Sequence, residues 1–369
     1  MKQQILTIAV ATSVLLAACD TQKDDGKAAS KQTVSEKTAS KQAMANSATE
    51  TKAESLASND EIVVYSSRKE HLIKPFFEEF TANTGIPVKY VTDKAGALVT
   101  RLKAEGERTP ADIFMTVDAG NLWLARQEEV VQPIDSAVLE ANIPDYLQDP
   151  DNHWFGLTVR ARTMVYDANK IKPSDLSSYE DLADPKWKGR LCLRTSKKVY
   201  NQSLVAMLIA RHGQAKAESI VQGWVDNLAT APFSNDTKVM KAIEAGQCEV
   251  GIVNSYYFGR LQKEDPSIGL ALYLPEDSAQ GTHVNISGAA ITKHAGNVAG
   301  AQQLIEWLSS EAAQKMYAGL NMEYPANPKV EPVEQVKAWG ELKADDMNLS
   351  KAGELQAQSV QLMDRVGYK

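Results

Sequence analysis

The fold class of this chain can be read from residues 61 to 117, which run EIVVYSSRKEHLIKPFFEEFTANTGIPVKYVTDKAGALVTRLKAEGERTPADIFMTV. Two β-rich runs, residues 61–65 and 87–91, flank a segment whose apolar residues recur at helical spacing. That segment contains Leu72, Ile73, Phe76, Phe77 and Phe80. A helix around 97–105 and a strand over 111–117 follow. Strands and helices that alternate at this pace predict right-handed βαβ units on a mostly parallel sheet.

The same alternation returns further along the chain. Strands are predicted at 189–194 and 249–253, and helices at 203–210, 215–228 and 238–245. The sequence therefore predicts an α/β protein with two lobes, each a mostly parallel sheet flanked by helices, and a cleft between them. Ligands of open α/β sheets bind beyond the carboxyl ends of the strands. The loops to inspect for function are those after Tyr65, Val117, Arg194 and Val253.

Composition and charge exclude several classes of protein. The 369 residues correspond to about two domains. A net charge of −7 argues against a nucleic-acid partner, which usually requires a basic face. The five histidines are scattered without an HxH or HExxH pattern, and no GxSxG, Walker A or GxGxxG motif occurs. We therefore do not expect an enzyme.

The N-terminus has the pattern of a targeting segment. Residues 1–19, MKQQILTIAVATSVLLAAC, combine a charged start, a short apolar stretch and small residues, as in a secretory signal peptide. The run that ends at Cys19 resembles a bacterial lipobox, which implies lipidation of that thiol; the alternative is an ordinary signal peptide with a chance cysteine. Asp20 resembles an inner-membrane retention signal, although outer-membrane anchoring stays open. Residues 20–59 lack aromatic residues and are predicted to form a disordered tether.

The remaining two cysteines belong to the part of the chain that is expected to fold outside the cytoplasm. Disulfides persist in that environment, so Cys192 and Cys248 are predicted to pair. The alternative is two separate buried thiols.

Tyrosines follow two of the predicted strands. Tyr256 and Tyr257 come directly after the strand 249–253, and Tyr200 precedes a predicted helix. A phenol ionises near pH 10, but a highly charged cation can hold it as a phenolate at neutral pH. Three phenolates would neutralise Fe³⁺, a hard ion that suits oxygen donors. A Tyr-Tyr pair that simply packs in the core is the alternative interpretation.

Such a site would leave coordination positions for an anion, which needs positive surroundings. The arginines that could supply them are Arg68, Arg160 and Arg162.

From residue 61 onward the chain resembles the periplasmic ferric-ion-binding proteins of bacterial iron ABC importers. The motifs that carry this resemblance are Val64-Tyr65-Ser66-Ser67-Arg68, Thr109-Pro110-Ala111-Asp112-Ile113, Trp154-Phe155-Gly156-Leu157 with Arg160-Ala161-Arg162, Cys192-Leu193-Arg194-Thr195 through Tyr200-Asn201-Gln202-Ser203-Leu204, Gly246-Gln247-Cys248, Asn254-Ser255-Tyr256-Tyr257, Gly281-Thr282-His283-Val284-Asn285-Ile286-Ser287-Gly288 and Glu323-Tyr324-Pro325. The resemblance implies a two-lobed periplasmic-binding-protein (type II) fold with a hinge, similar to a transferrin lobe.

The resemblance also implies roles for individual residues. Tyr200, Tyr256 and Tyr257 are the implied Fe³⁺ ligands, and Arg68 and Arg160 would grip a carbonate or bicarbonate anion. The sequence departs from the family pattern in two loops. Lys69 and Glu70 stand where some members have a histidine or His-Tyr, with His71 further along, and Asp118 lies near the place of a family glutamate. The candidates for ligands from the N-terminal lobe or for supporting residues are Lys69, Glu70, His71, Asp118 and Arg162.

The implied organisation has an N-terminal lobe over 60–160 and about 282–330, and a C-terminal lobe over about 161–281 and 331–369. The implied protein is a monomer on the periplasmic face of the membrane, which binds ferric ion and delivers it to an inner-membrane ABC permease with its ATPase. The alternative is a protein of the same fold that binds an oxyanion, at Arg68, Arg160 and Arg194, or another small solute without iron.

Overall fold

The computed structural model describes residues 61–275 and 281–369. The predicted signal peptide, with Cys19 and Asp20, and the predicted tether lie outside the described residues. No helix within the described ranges is long and apolar enough to cross a membrane.

The first part of the described chain alternates between strands and helices, as the sequence predicts. In order, the elements are β1 (Ile62–Ser66), α1 (Lys74–Thr84), β2 (Val88–Thr92), α2 (Ala95–Glu105), β3 (Ile113–Val117) and α3 (Ala119–Gln127). Phe76, Phe77 and Phe80 form the buried face of α1. Gly85 ends that helix with a φ of 77°, a conformation that glycine adopts without steric cost.

The middle of the chain contains a short strand and helix, a long strand, and then a second set of strands and helices. These elements are β4 (Val131–Gln132), α4 (Ala137–Asn142), β5 (Phe155–Asp167), β6 (Leu191–Cys192), α5 (Val199–His212), α6 (Gln214–Asp226), α7 (Asp236–Glu244), β7 (Val250–Asn254), α8 (Ser255–Glu264) and β8 (Leu270–Tyr273). The helices predicted at 203–210, 215–228 and 238–245 correspond to α5, α6 and α7.

The remaining elements return to the first part of the fold and then end in helices. They are β9 (Val284–Thr292), α9 (Val298–Ser309), α10 (Glu311–Asn321), β10 (Tyr324–Pro325), α11 (Glu334–Lys337), α12 (Ser350–Glu354) and α13 (Gln356–Arg365).

The strands join in the order β2-β1-β3-β9-β5-β7-β6. Parallel pairing among the described strands is limited to β1 with β2, β1 with β3, and β6 with β7. The α/β class is confirmed, but the sheets are mixed rather than mostly parallel. The reason lies in β5 and β9, which run antiparallel to each other and add antiparallel neighbours on both sides.

Strand β5 belongs to both halves of the fold. Its residues from Phe155 to Ala161 pair with β9, and its residues from Arg162 to Tyr166 pair with β7. All but the last of its 13 residues are buried. Side chains on successive residues of a strand point to opposite faces, so Arg160 and Arg162 share one face of β5.

The buried apolar residues form separate groups, which contain different segments of this strand. The largest group contains Phe76 and Trp154 with β1, β3 and β9, and a second contains Trp187 and Trp224. A third, smaller group contains Cys192 and Cys248, which form the predicted disulfide. The exact lobe boundaries stay a prediction.

Candidate functional site

The three predicted tyrosines lie in the first turns of two helices. Tyr200 is in the first turn of α5, and Tyr256 and Tyr257 are in the first turn of α8. The buried strand β7 ends at Asn254, which is extended and immediately precedes α8. The tandem tyrosines therefore stand at the carboxyl end of a strand, as the sequence predicts. A helix N-terminus also favours negative charge, including that of a phenolate.

These three residues, named here the tyrosine cluster, interact with one another. The rings of Tyr256 and Tyr257 have centroids 4.4 Å apart, with an angle of 32° between their planes. Burial raises the pKa of Tyr256 well above its ordinary value, and the neighbouring phenols of Tyr200 and Tyr257 raise it further, whereas Arg160 lowers it. The phenols are thus close enough for ionisation of one to oppose ionisation of the others.

Arginines surround the tyrosine cluster. The guanidinium carbon of Arg194 lies 4.9 Å from the ring centroid of Tyr200, and that of Arg160 lies 5.9 Å from the same ring. Burial works to lower the pKa of Arg194, but Asp236 and the phenols of Tyr257 and Tyr200 raise it above its ordinary value. This arrangement stabilises negative charge on the phenols.

Arg68 lies in a buried ion pair instead of standing free at the end of β1. Its Nη1 and Nη2 atoms lie 3.2 Å from the Oε2 atom of Glu323, and Nη1 also donates to the hydroxyl of Ser287. Burial opposes the charge of Arg68, yet Glu323, Tyr317 and Tyr256 raise its pKa above the ordinary value. Arg68 is therefore electrostatically coupled to the tyrosine cluster and already paired with a carboxylate.

Arg160 and Arg162, on one face of β5, have different partners. Arg160 donates to the backbone oxygen of Ile286 and acts electrostatically on Tyr256, Glu323 and Asp118. Arg162 forms a buried ion pair with Asp236, with an Nη1–Oδ2 distance of 2.8 Å.

Asp118 follows β3, where the sequence predicts a candidate ligand. Its φ of 82° is unusual for a residue other than glycine. Its carboxylate accepts hydrogen bonds from the backbone of Gly120 at 2.8 Å, from the Ser203 hydroxyl at 2.6 Å and from the Asn285 amide at 2.7 Å. Burial raises its pKa to about 6, against the lowering effects of Ser203, Arg160 and its other partners. The carboxylate thus caps α3 and links it to α5.

The remaining candidates are on the surface. Lys69, Glu70 and His71 are exposed, and Glu70 accepts a hydrogen bond from the Tyr90 hydroxyl at 2.9 Å. No group of three or more His, Cys, Asp and Glu residues in the described part of the chain is arranged to hold a metal ion.

Two acidic residues at the site were not predicted from sequence. Glu323 lies within the motif that ends at Pro325, but nothing in its local sequence indicates a partner 255 residues away. Asp236 follows Asn235, the residue that caps α7, and resembles an ordinary acidic residue in a first helical turn. Only the packed structure brings these carboxylates beneath the arginines.

A two-part α/β fold whose halves share one long strand, with charged and phenolic side chains gathered at strand ends, defines a bilobal solute-binding protein. The chain belongs to the family of bacterial extracellular solute-binding proteins, which matches residues 76–344. Iron uptake protein A1 of Synechocystis sp. is 42% identical over 315 residues, which cover 84% of this chain and 88% of that protein.

Solved structures of similar proteins agree with this assignment. The Trichodesmium protein FutA (IdiA), in complex with iron and citrate, is 43% identical, with a TM-score of 0.81 over 84% of this chain and 100% of that one. Ferric iron-binding protein A of Mannheimia haemolytica, in an open conformation, is 39% identical, with a TM-score of 0.78 over 84% and 98% of the respective chains. The predicted family and two-lobed fold are confirmed, and membership of a solute-binding family agrees with the prediction that the chain is not an enzyme.

Proposed function

We propose that this protein is the ferric-ion-binding component of a bacterial iron importer. The observation that carries the proposal is the tyrosine cluster, in which Tyr200, Tyr256 and Tyr257 interact with one another beneath Arg160 and Arg194. The names of the similar proteins, an iron uptake protein and a ferric iron-binding protein, support the same cargo.

The chemistry follows from the charges. Burial favours protonated phenols when no cation is bound, as the raised pKa of Tyr256 indicates. A trivalent cation supplies the opposing charge, so binding displaces phenolic protons and leaves a neutral Fe³⁺–tris(phenolate) group. The buried arginines then leave net positive charge beside the ion. That charge favours the binding of an additional anion. We propose that this anion is carbonate or bicarbonate and that Arg160 and Arg68 bind it.

Capture also requires closure of the two lobes. We propose that the lobes comprise 60–160 with about 282–330, and about 161–281 with 331–369, and that they move about strand β5, which crosses between them. The hydrogen bond from Ser203 of α5 to Asp118, next to α3, would then join the lobes. A ligand favours the closed state only to the extent that it binds that state more tightly.

The cellular setting is part of the proposal. We propose a monomer that is anchored by lipid on Cys19 to the periplasmic face of the inner membrane and delivers iron to a permease and its ATPase. The lipobox-like sequence and Asp20 support the anchor.

A visible absorption titration tests the proposal. Purified protein is mixed with Fe³⁺ supplied as citrate, with and without bicarbonate. The expected result is a phenolate-to-iron band that saturates at one ion per chain and strengthens with bicarbonate. A colourless mixture, together with tight binding of phosphate or sulfate to the iron-free protein, would instead support the oxyanion-binding alternative.

A further inference from the structure

A fully buried carboxylate lies behind the tyrosine cluster. Asp236, the first residue of α7, accepts hydrogen bonds from Arg162 Nη1 at 2.8 Å, from Arg194 Nη1 at 3.3 Å and from the backbone N–H of Asn254 at 3.0 Å. All four residues are buried. One side chain thus joins β5, the loop after β6 and the end of β7.

Arg162 extends this connection to both tyrosine-bearing helices. Its Nη2 donates to the side-chain oxygen of Asn201 at 2.6 Å, and its Nη1 donates to that of Asn254 at 3.1 Å. Asn201 follows Tyr200 directly, and Asn254 lies two residues before Tyr256. The guanidinium fork therefore ties together the starts of α5 and α8.

Arg194 completes the link to the phenols themselves. Its guanidinium lies over the ring of Tyr200 and interacts electrostatically with the phenol of Tyr257, and its Nη1 donates to the carboxylate of Asp236. Its backbone oxygen accepts hydrogen bonds from the Asn201 amide at 2.8 Å and from the Tyr368 hydroxyl at 2.6 Å. Both the side chain and the backbone of Arg194 are therefore held in one place.

We propose that Asp236 is a positioning residue for the tyrosine cluster, which acts through Arg162 and Arg194 to set the relative orientation of the three phenols. The inference rests on the proposed function. Its physical basis is that charge-assisted hydrogen bonds between buried groups are costly to leave unmade. Displacing α5 or α8 would break several of these hydrogen bonds together. The first turns of the two helices are therefore held in one position relative to each other.

The test compares Asp236→Asn with a matched control, Asp149→Asn. Asp149 is likewise fully buried and paired with an arginine, Arg126, at 2.9 Å, but it lies far from the tyrosines in the chain, and its side-chain hydrogen bonds within the described residues are to Arg126, Asp151 and His153. Both variants are expected to lower the melting temperature. Only Asp236→Asn is expected to weaken Fe³⁺ binding at least tenfold in competition with citrate, and to shift the wavelength of the phenolate-to-iron band.

A folded Asp236→Asn protein whose affinity and band wavelength match those of Asp149→Asn would overturn the positioning role. If Asp236→Asn does not fold, Arg162→Lys takes its place, because lysine keeps the charge opposite Asp236 but cannot reach both asparagines. An unchanged band and affinity in Arg162→Lys would equally overturn the inference. A wild-type protein without the band would overturn the proposed function itself, which separates the two failures.

Discussion

Arg68 and Glu323 lie 255 residues apart in the chain and form a buried ion pair with an Nη1–Oε2 distance of 3.2 Å. The pair connects the loop after β1 to the segment between α10 and β10. Burial works to raise the pKa of Glu323, but Arg68, Arg160 and hydrogen bonds hold it below its ordinary value. The carboxylate is therefore ionised and sits beside both arginines that are proposed to grip the anion.

Replacing Glu323 by glutamine should destabilise the fold. The substitution leaves the Arg68 charge buried without its counter-ion, and removing one partner of a buried pair typically costs about 3 kcal/mol or more. Urea unfolding of the iron-free protein measures the change. The exposed pair between Lys315 and Glu311 offers a control, because Glu311→Gln should alter stability by less than about 0.5 kcal/mol. Equal stability of Glu323→Gln and wild type would show that the ion pair makes no net contribution to the free energy of unfolding.

Replacing Tyr256 by phenylalanine should abolish most iron binding and the associated visible band. The variant keeps the buried ring but removes a phenolate ligand. Tyr324→Phe is the matched control, because Tyr324 is also buried and its hydroxyl has no hydrogen-bond partner among the residues that the structure describes. Optical titration with ferric citrate distinguishes the two. Retained colour and affinity in Tyr256→Phe would remove Tyr256 from the ligand set.

Replacing Glu70 by glutamine should leave iron affinity within about twofold of wild type. Glu70 is exposed and accepts a hydrogen bond from Tyr90 of β2. Surface substitutions of this kind usually have small effects. The same titration gives the answer, with Tyr256→Phe as the positive control. A loss of tenfold or more would assign Glu70 as a ligand that moves into the site on closure.

Stability should fall as the pH drops from about 6.5 to about 4, in part because of His283. Burial lowers its pKa to about 4; Asp345 opposes this shift, and Arg162 adds to it. In this pH window the unfolded chain takes up a proton that the folded chain excludes, so acid favours unfolding, by about 3 kcal/mol at the lower end.

The variant His283→Phe should flatten that part of the pH–stability curve, because it removes the titrating group from the same buried position. The exposed His294→Phe variant should keep the wild-type slope. Chemical unfolding at several pH values between 4 and 7 measures both. An unaltered slope in His283→Phe would assign the acid sensitivity to other groups.

Local sequence was sufficient for much of the fold and for part of the site. The spacing of Phe76, Phe77 and Phe80 predicts α1, because one face of a helix must be buried whatever it packs against. The apolar run before Tyr256 predicts a buried strand, and it places both tyrosines at the strand's carboxyl end. These properties depend on neighbours in the chain.

Long-range packing controlled the rest. The direction of strand pairing depends on β5, which crosses between the halves, and on β9, which pairs antiparallel with it, and the partners of Arg68, Arg162 and Asp118 come from distant segments. The sequence next to each of these charged residues does not indicate whether its side chain is solvated or buried. Its role is set by which opposite charge the folded chain brings within hydrogen-bonding distance, because a buried charge persists only where it has a partner.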